Sequence, residues 1–481
     1  MTAISRFQKI FFDWYREVPS SSLAFYRILF GALMLFSTSR FLLNGWVYDF
    51  YIAPKYHFSY LGFGWIPYPN ATVLYFIFSM MLVACVGIIL GFFYRISALT
   101  FFILFTYVEL LDKTTYLNHY YFVSLIALLM IFLPANRFFS LDTYYGFVPA
   151  QKTVPNWTIA ILKFQMGIVY VFAGIAKLEP DWLLNAQPLK YWLHTSHHWP
   201  IVGDLLKQDW VAYFFSWFGC LYDLLIVFFL LNTKTRNVAY VFVIIFHLTT
   251  WLLFPIGVFP WVMMAGTTIF LSVNFHERVL NFLRLRWLRL RSIGRQRLAV
   301  DAAATGELEI ATKNISTNQS YDKSKIINYL LAIYITIQIL VPFRYLLYPG
   351  NLFWTEQGFR FSWRVMLMEK TGYAEFYLVD PNTKAEWNVE TENHLTRTQE
   401  KMMSTQPDMI LQYAHHLHDI YQDTTLYLGD KSFTFKEPEV HAEIYVTLNG
   451  RPSQLYVAKK HNLAVLENNL SHRFWLEDFK E

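Results

Sequence analysis

The sequence has little charge and almost no cysteine. Only 16% of its 481 residues are Asp, Glu, Lys or Arg, whereas soluble domains average about 25%. Hydrophobic residues make up 55% and aromatic residues 19%, a balance typical of a membrane protein with Trp and Tyr at its interfaces. The two cysteines, Cys85 and Cys220, lie inside apolar segments. This predicts buried packing residues and excludes a disulfide framework or a CxxC metal site.

Several motifs of soluble enzymes are also missing. The sequence has no GxSxG motif, Walker loop or GxGxxG motif. Histidines cluster in 194–198 and 415–418, but without a carboxylate or cysteine partner at metal-ligand spacing, so we predict no metal site. The net charge of +5 comes largely from one arginine run, which indicates membrane topology and no nucleic-acid partner. Residues 1–22 lack a clean signal-peptide core, so we expect the first span to act as a signal anchor.

Long apolar stretches recur through the first 348 residues. A bilayer core is about 30 Å thick and needs about 20 helical residues to cross it. Nine stretches are long enough to cross or nearly cross it, and the third, fourth and eighth are short enough to be tilted or re-entrant. The predicted fold is therefore a polytopic α-helical membrane protein with about nine transmembrane helices. The stretches are 22–43, 71–93, 96–111, 119–134, 157–177, 210–231, 238–256, 258–273 and 326–348.

Positive charge divides the connections into two sets. Seven arginines lie between Arg278 and Arg297, and we interpret the segment from about 278 to 325 as a basic inner loop. With the N-terminus also inside, nine spans place the C-terminal region on the outer side of the membrane. That side is the periplasm if the protein sits in a bacterial inner membrane, and the lumen if it sits in the endoplasmic reticulum.

The pattern changes after the last stretch. Residues 373–390 alternate around Asp380-Pro-Asn-Thr, and 441–448 alternate up to Asn449-Gly450, so both segments predict β-hairpins. Residues 407–421 have the spacing of an amphipathic helix. We therefore divide the chain into a transmembrane domain, 1–348, and a small C-terminal α+β extramembrane domain, 349–481.

The stretch that ends at Lys177 is the most informative one. Tyr170 and Lys177 are seven residues apart and share a helix face, whereas Gly174 belongs to a stripe of small residues that another helix or a flat ligand can approach. Lys177 itself is either an anchor that reaches for lipid headgroups or a functional amine. Because the predicted topology brings His119 and His247 to the same outer level, we favour the functional amine.

The sequence resembles the vitamin K-dependent γ-glutamyl carboxylase family and the related horizontally transferred transmembrane domain. The resemblance covers nearly the whole chain. Each motif is weak alone, but their order and spacing together are specific. The matching stretches are 22–31, Asn118-His119 through Ala135-Asn136-Arg137 and Asp142, 172–182, 246–259, Tyr348-Pro-Gly350, Phe361-Ser-Trp-Arg364 and the Asn449-Gly450 hairpin.

The resemblance implies a reaction and its cofactors. The family oxygenates a reduced vitamin K (phylloquinol or menaquinol here) to its epoxide, and carbon dioxide is added to a glutamate of a protein substrate. Oxygen, carbon dioxide, the quinone, membrane lipid and a glutamate-containing protein are thus the expected partners. The disulfide that joins the membrane part of the vertebrate enzyme to its outer domain cannot form here, because both cysteines lie in predicted spans. Two alternatives stay open: a quinol epoxidase or oxidoreductase without carboxylation, and a non-catalytic quinone- or lipid-binding protein.

The resemblance also assigns roles to residues. Lys177 matches the amine that deprotonates the hydroquinone, and a dry, apolar pocket would favour the neutral amine that such a base requires. Asn118 and His119 match a pair that binds the quinone oxygens, and His247 is expected to line the pocket. Tyr170 and Gly174 share that predicted pocket. Trp363 and Arg364 are predicted to bind the glutamate substrate, with a membrane-interface role as the alternative.

Overall fold

A computed structural model describes residues 14–195, 202–296 and 320–481. Ten helices of nine or more residues build the first part of the described chain. They are α1 (Ser21–Leu43), α2 (Ala71–Leu90), α3 (Tyr94–Leu111), α4 (Asn118–Phe132), α5 (Trp157–Ala176), α6 (Asp209–Leu231), α7 (Arg236–Leu253), α8 (Phe259–Thr267), α9 (Val273–Gln296) and α10 (Ser320–Leu340). Shorter helices of four to seven residues lie at Leu141–Tyr144, Pro180–Leu183, Leu189–Thr195, Gly203–Leu206 and Leu352–Thr355.

Seven of the described helices are long and apolar enough to cross a membrane. Six are α1, α2, α3, α5, α6 and α7, and the seventh covers Lys325–Leu347. Two shorter apolar helices, Asn118–Phe132 and Phe259–Phe270, correspond to the fourth and eighth predicted stretches. The structure therefore confirms a multi-pass helical membrane protein, and the count of nine spans stays a prediction.

The predicted inner loop is largely helical where the structure describes it. Residues Val273–Gln296 form α9, and α10 begins at Ser320. The prediction of a loop over 278–325 is therefore wrong at both ends, and 297–319 lie outside the described residues. A run of arginines carries no helix breaker, and arginine is among the better helix formers, so the charge that marked this segment does not prevent a helix.

A polar network fixes the end of the bundle where α2 turns into α3. Arg27 is fully buried and donates to the carbonyl oxygens of Ile88 (3.0 Å) and Phe139 (2.6 Å). The Asp142 carboxylate accepts from the backbone N–H groups of Phe93 (2.7 Å) and Tyr94 (3.1 Å) at the start of α3. Arg27 and Asp142 carried part of the family resemblance. Here they provide hydrogen-bond partners for backbone groups at helix ends, which hydrocarbon cannot solvate.

The C-terminal domain is a small α+β unit. Its main sheet has four antiparallel strands, in the spatial order Glu386–Val389, Lys370–Val379, Glu439–Leu448 and Gln454–Val457, and the helix Pro407–Tyr421 packs against the third of them. Both predicted hairpins and the predicted helix 407–421 are present, whereas the hairpin of Thr424–Leu428 and Lys431–Phe435 was not predicted. The elements are β3 (Lys370–Val379), β4 (Glu386–Val389), α11 (Arg397–Met403), α12 (Pro407–Tyr421), β5 (Thr424–Leu428), β6 (Lys431–Phe435), β7 (Glu439–Leu448) and β8 (Gln454–Val457), after β1 (Glu17–Pro19) and β2 (Thr153–Pro155) near the bundle.

The C-terminal domain packs onto one end of the bundle through partly buried ion pairs. Asp408 accepts from Lys113 and Arg360, each at 2.7 Å. Burial lowers the pKa of Lys113 to about 8, although Asp408 opposes that change. Farther along, Arg451 in the β7–β8 turn holds both oxygens of Asp181, at 2.7 and 2.8 Å. One apolar core continues across the junction, so the end of the bundle and the domain pack as one unit.

Candidate active site

A cavity lies where α5 to α8 meet the C-terminal domain. It encloses about 80 Å³ in which a water-sized sphere can be centred. Most of its wall is hydrocarbon, with a few polar side chains. Its lining comprises Val169, Tyr170, Ala173, Lys177, Trp182, Leu189, Phe215, Gly219, Asp223, Phe246, His247, Thr250, Phe254, Ile256, Phe259, Met263, Val365 and Met366.

Lys177 is buried in the wall of this cavity. It follows the last residue of α5 and is only 6% exposed. Its Nζ donates to Asp223 Oδ2 at 2.7 Å and to the Ala173 carbonyl at 3.3 Å, and it lies 5.4 Å from the centre of the Trp182 ring. A headgroup anchor would extend away from the bundle, whereas this amine points into it. The geometry therefore favours a functional amine.

The sequence reasoning missed Asp223, the partner of Lys177. Asp223 lies in the middle of α6, and its side chain is 8% exposed, as is that of Lys177. An unpaired carboxylate inside an apolar span is costly and is a functional-site signal in itself. That signal was available in the stretch 210–231, where Asp223 stands among apolar residues. Its partner was not readable, because 46 residues separate the two.

Tyr170 and His247 form a second polar group on the cavity wall. The Tyr170 hydroxyl lies 3.0 Å from His247 Nε2 and 3.1 Å from Thr267 Oγ1. His247 Nδ1 is buried and has no hydrogen-bond partner among the described residues. A polar atom of this kind needs a partner in a dry site. Nδ1 is therefore the free hydrogen-bonding atom that His247 offers to a ligand.

Asn118 and His119 lie at the start of α4, beside the cavity. The Asn118 amide donates to the Arg364 carbonyl at 2.7 Å and accepts from the Tyr116 hydroxyl at 2.9 Å. The ring of Phe259 separates the two histidines, with centroid distances of 5.7 Å to His119 and 6.1 Å to His247. Neither Asn118 nor His119 belongs to the cavity lining in this conformation. Their role in quinone binding stays a prediction.

Gly174 packs against a helix rather than facing the cavity. A Cβ atom at Gly174 would come within 2.7 Å of the Leu224 backbone nitrogen. Of the two neighbours that the small-residue stripe predicted, a helix or a flat ligand, the structure shows the helix α6. The close approach of α5 and α6 at this point also sets the distance between Lys177 and Asp223. Lys177 lies three residues after Gly174, and Asp223 lies one residue before Leu224.

Trp363 and Arg364 belong to the connection that covers the cavity. Their neighbours Val365 and Met366 line it, but neither predicted residue does. Trp363 is 1% exposed and stacks on Tyr121 with 5.0 Å between ring centroids. Trp363 and Met366 have positive φ angles of 60° and 54°, which are uncommon for side-chain-bearing residues and mark a constrained segment.

Arg364 lies next to an acidic residue at the edge of the site. Its guanidinium lies 4.4 Å from the centre of the Tyr345 ring. Burial lowers the pKa of Arg364, while the charge of Glu179 opposes this. Burial in turn raises the pKa of Glu179, and Arg364 counteracts it. The Arg364 Nε atom has no hydrogen-bond partner among the described residues, so the guanidinium keeps a donor for an acidic group.

The C-terminal histidines serve packing. His415 Nε2 lies 2.8 Å from the Leu466 carbonyl and His418 Nδ1 2.8 Å from that of Pro438. His416 stacks on Tyr56 at 4.1 Å. These contacts connect α12 to its surroundings. Within the described part of the chain, no group of three His, Cys, Asp or Glu side chains has the geometry of a metal site.

Two protein-family comparisons match the chain. The HTTM domain matches residues 15–275, more than half of the sequence. The lumenal domain of vitamin K-dependent gamma-carboxylase matches residues 323–481. No solved structure matches the chain. The two matches meet at the cavity, whose lining comes from both regions. The chain belongs to the vitamin K-dependent γ-glutamyl carboxylase family.

Proposed function

We propose that this protein carboxylates the γ-carbon of glutamate in a protein substrate and couples that step to epoxidation of a reduced vitamin K. The observation that carries the proposal is the buried Lys177–Asp223 pair in an apolar cavity formed by both matched regions. When bound, the reduced quinone supplies, with oxygen, the base strength that removes a glutamate γ-proton before carbon dioxide adds.

The residues of the cavity suit a prenylated quinol. Phe215, Phe246, Phe254 and Phe259 provide apolar and aromatic surface for a flat ring. Among the polar atoms, His247 Nδ1 has no other partner among the described residues. A mostly apolar cavity with a few convergent polar groups is typical of a cofactor site.

Lys177 and Asp223 would manage the proton of the quinol hydroxyl. Their atoms are 2.7 Å apart, close enough for one proton to belong to either group. The paired ammonium cannot accept another proton, so a base at Lys177 requires transfer of that proton to Asp223 first. Proton transfer within the pair removes both charges together, so it leaves no isolated charge in the dry site. The neutral amine can then take the quinol proton.

The connection 361–366 would control access of the glutamate. Val365 and Met366 close one wall of the cavity, and exclusion of water there protects a strong base from quenching. Arg364 lies just behind them and would attract the substrate carboxylate, which gains a second negative charge on carboxylation. Under the predicted topology this connection faces the outer side, where a secreted or periplasmic protein substrate is found.

The test is a matched pair of lysine-to-arginine variants in lipid nanodiscs. Lys177→Arg keeps a positive charge near Asp223 but removes a base, since arginine does not lose its proton in proteins. Lys163→Arg is the control, because it makes the same change at a lysine inside α5. The Lys163 amine lies beside the Phe270 ring. Reduced vitamin K, labelled carbon dioxide and a glutamate peptide report epoxide and fixed label separately.

We expect Lys177→Arg to lose both products and Lys163→Arg to keep both. Normal epoxidation by Lys177→Arg would contradict the role of Lys177. Epoxide without fixed label from the unmodified protein, with several glutamate peptides, would leave the epoxidase alternative. If the unmodified protein forms neither product but binds the quinone saturably, the non-catalytic alternative remains.

A further inference from the structure

A second cavity lies among α1 to α4 and shares no lining residue with the Lys177 cavity. It encloses about 40 Å³ in which a water-sized sphere can be centred. Its wall contains one ionisable carboxylate, Glu109, near the end of α3. No step of the proposed carboxylation uses this residue.

The Glu109 carboxylate is incompletely satisfied. Its Oε2 accepts one hydrogen bond from the Ser124 hydroxyl at 3.3 Å, and Ser124 accepts one from Thr106 at 3.3 Å. Its Oε1 is buried and has no hydrogen-bond partner among the described residues. A carboxylate at this depth normally has a cationic or multiply hydrogen-bonded partner. The cavity therefore offers an acceptor that the described part of the protein does not fill.

The surroundings of Glu109 favour a cation. The cavity is bordered by five aromatic rings, and the rings of Phe41 and Phe78 stack with centroids 5.4 Å apart. Aromatic faces attract ammonium groups, more strongly where water is excluded. The C-terminal end of α3, at Leu111, adds the negative end of a helix dipole. The five rings belong to Phe41, Tyr51, Phe78, Phe105 and Tyr120.

The size and depth of the cavity limit the cation. Its space is half that of the Lys177 cavity, enough for a few water-sized groups but not for a ring. Lys113, two residues after α3 ends, contacts the C-terminal domain, so Glu109 lies near the membrane boundary. Arg40 lies one helical turn after Ser37 of the cavity wall. Its guanidinium suits a phosphate group, such as the one that accompanies an amine in a phospholipid headgroup.

We propose that the Glu109 cavity binds a primary ammonium group, presented by the headgroup of an amine-bearing phospholipid of the adjacent leaflet. The carboxylate holds the ammonium and the aromatic rings enclose it, while Arg40 lies within reach of the phosphate. Such a lipid would fill the space between α1 and α4 and support the helix that begins with Asn118 and His119.

The test compares lipids that differ only in the headgroup. Delipidated protein is titrated with phosphatidylethanolamine or phosphatidylglycerol of the same acyl chains, and bound lipid is counted by native mass spectrometry. The unmodified protein should prefer the amine-bearing lipid by about tenfold or more, the usual scale of a charge-assisted hydrogen bond. Glu109→Gln should reduce the preference to about twofold or less. Thr100→Val, which removes a hydroxyl from the same helix outside the Glu109 cavity, should keep it.

A free amine distinguishes the source of the ammonium group. Ethanolamine that competes with the lipid in the unmodified protein, and not in Glu109→Gln, supports the ammonium site itself. Absence of a headgroup preference in the unmodified protein, or an undiminished preference in Glu109→Gln, would overturn the proposal. If Glu109→Gln does not fold, Phe105→Leu replaces it. That variant keeps the carboxylate and should weaken the preference severalfold, and an unchanged preference would also overturn the proposal.

Discussion

Removal of the Lys177 amine should destabilise the protein as well as inactivate it. A lysine that only touched headgroups would contribute little to stability, but the structure buries Nζ at 2.7 Å from Asp223, with both side chains 8% exposed. Loss of one partner of a buried pair costs about 3–5 kcal/mol, because the other charge stays without compensation. Lys177→Ala and Asp223→Asn should each lose stability on this scale.

The double variant separates stability from chemistry. Lys177→Ala/Asp223→Asn has no uncompensated charge, so its free energy of unfolding should return to within about 2 kcal/mol of the unmodified protein. Its epoxidation should nevertheless stay about 100-fold to 10,000-fold lower, the usual contribution of a general base. Activity that fails to recover with stability would identify Lys177 as a chemical participant.

The chain provides its own probe for this measurement. Cys85 and Cys220 are free and buried, so a thiol-reactive fluorogenic dye reports their exposure during thermal unfolding in detergent. Epoxide formation is followed on the same preparations. Unchanged melting of both single variants would refute the buried ion pair, and epoxidation by the stable double variant would refute the role of Lys177.

Three other predictions concern the C-terminal side. Arg364→Ala should lower carboxylation of a glutamate peptide more than quinone epoxidation; an equal loss of both would show a structural role only. Burial alone would raise the pKa of Asp408, but Arg360 and Lys113 outweigh it and hold that pKa far below its usual value. The stabilisation that ionised Asp408 gives the folded protein should therefore be complete above about pH 4 and decrease as the pH falls further. Asp408→Asn should flatten this acid dependence of the free energy of unfolding in denaturant titrations. In a cysteine-free background, cysteines at Arg286 and Leu470, both exposed, should react from opposite membrane faces, and labelling of both from one face would contradict the predicted topology.

Local patterns predicted the elements well where one physical signal dominated. The alternation before Asn449-Gly450 gave β7 and β8, and the apolar spacing over 407–421 gave α12 with the predicted bounds. Ile420, an apolar residue near the end of that helix, is nevertheless 39% exposed. Composition was a weaker guide, because the arginine run was interpreted as a loop although it belongs largely to α9.

The site was predictable only in part. Tyr170, Lys177 and His247 line one cavity, as the shared helix face and the common level indicated. The segment 361–364 reaches the same place, but with Val365 and Met366 rather than Trp363 and Arg364 at the wall. Which side chain of a short irregular connection faces a cavity depends on its φ angles, three of which are positive between residues 361 and 366, and no periodic pattern encodes them.

Local patterns are enough to predict the class of the protein: a helical membrane domain, a C-terminal α+β domain and a lysine at the end of one apolar helix. These features follow from composition and periodicity, which act over a few turns of chain. Long-range packing instead pairs Lys177 with Asp223, places Gly174 against α6 and leaves Glu109 without a full set of partners among the described residues. Each depends on contacts between separate helices, and the distances across such contacts are set by packing and not by any local pattern.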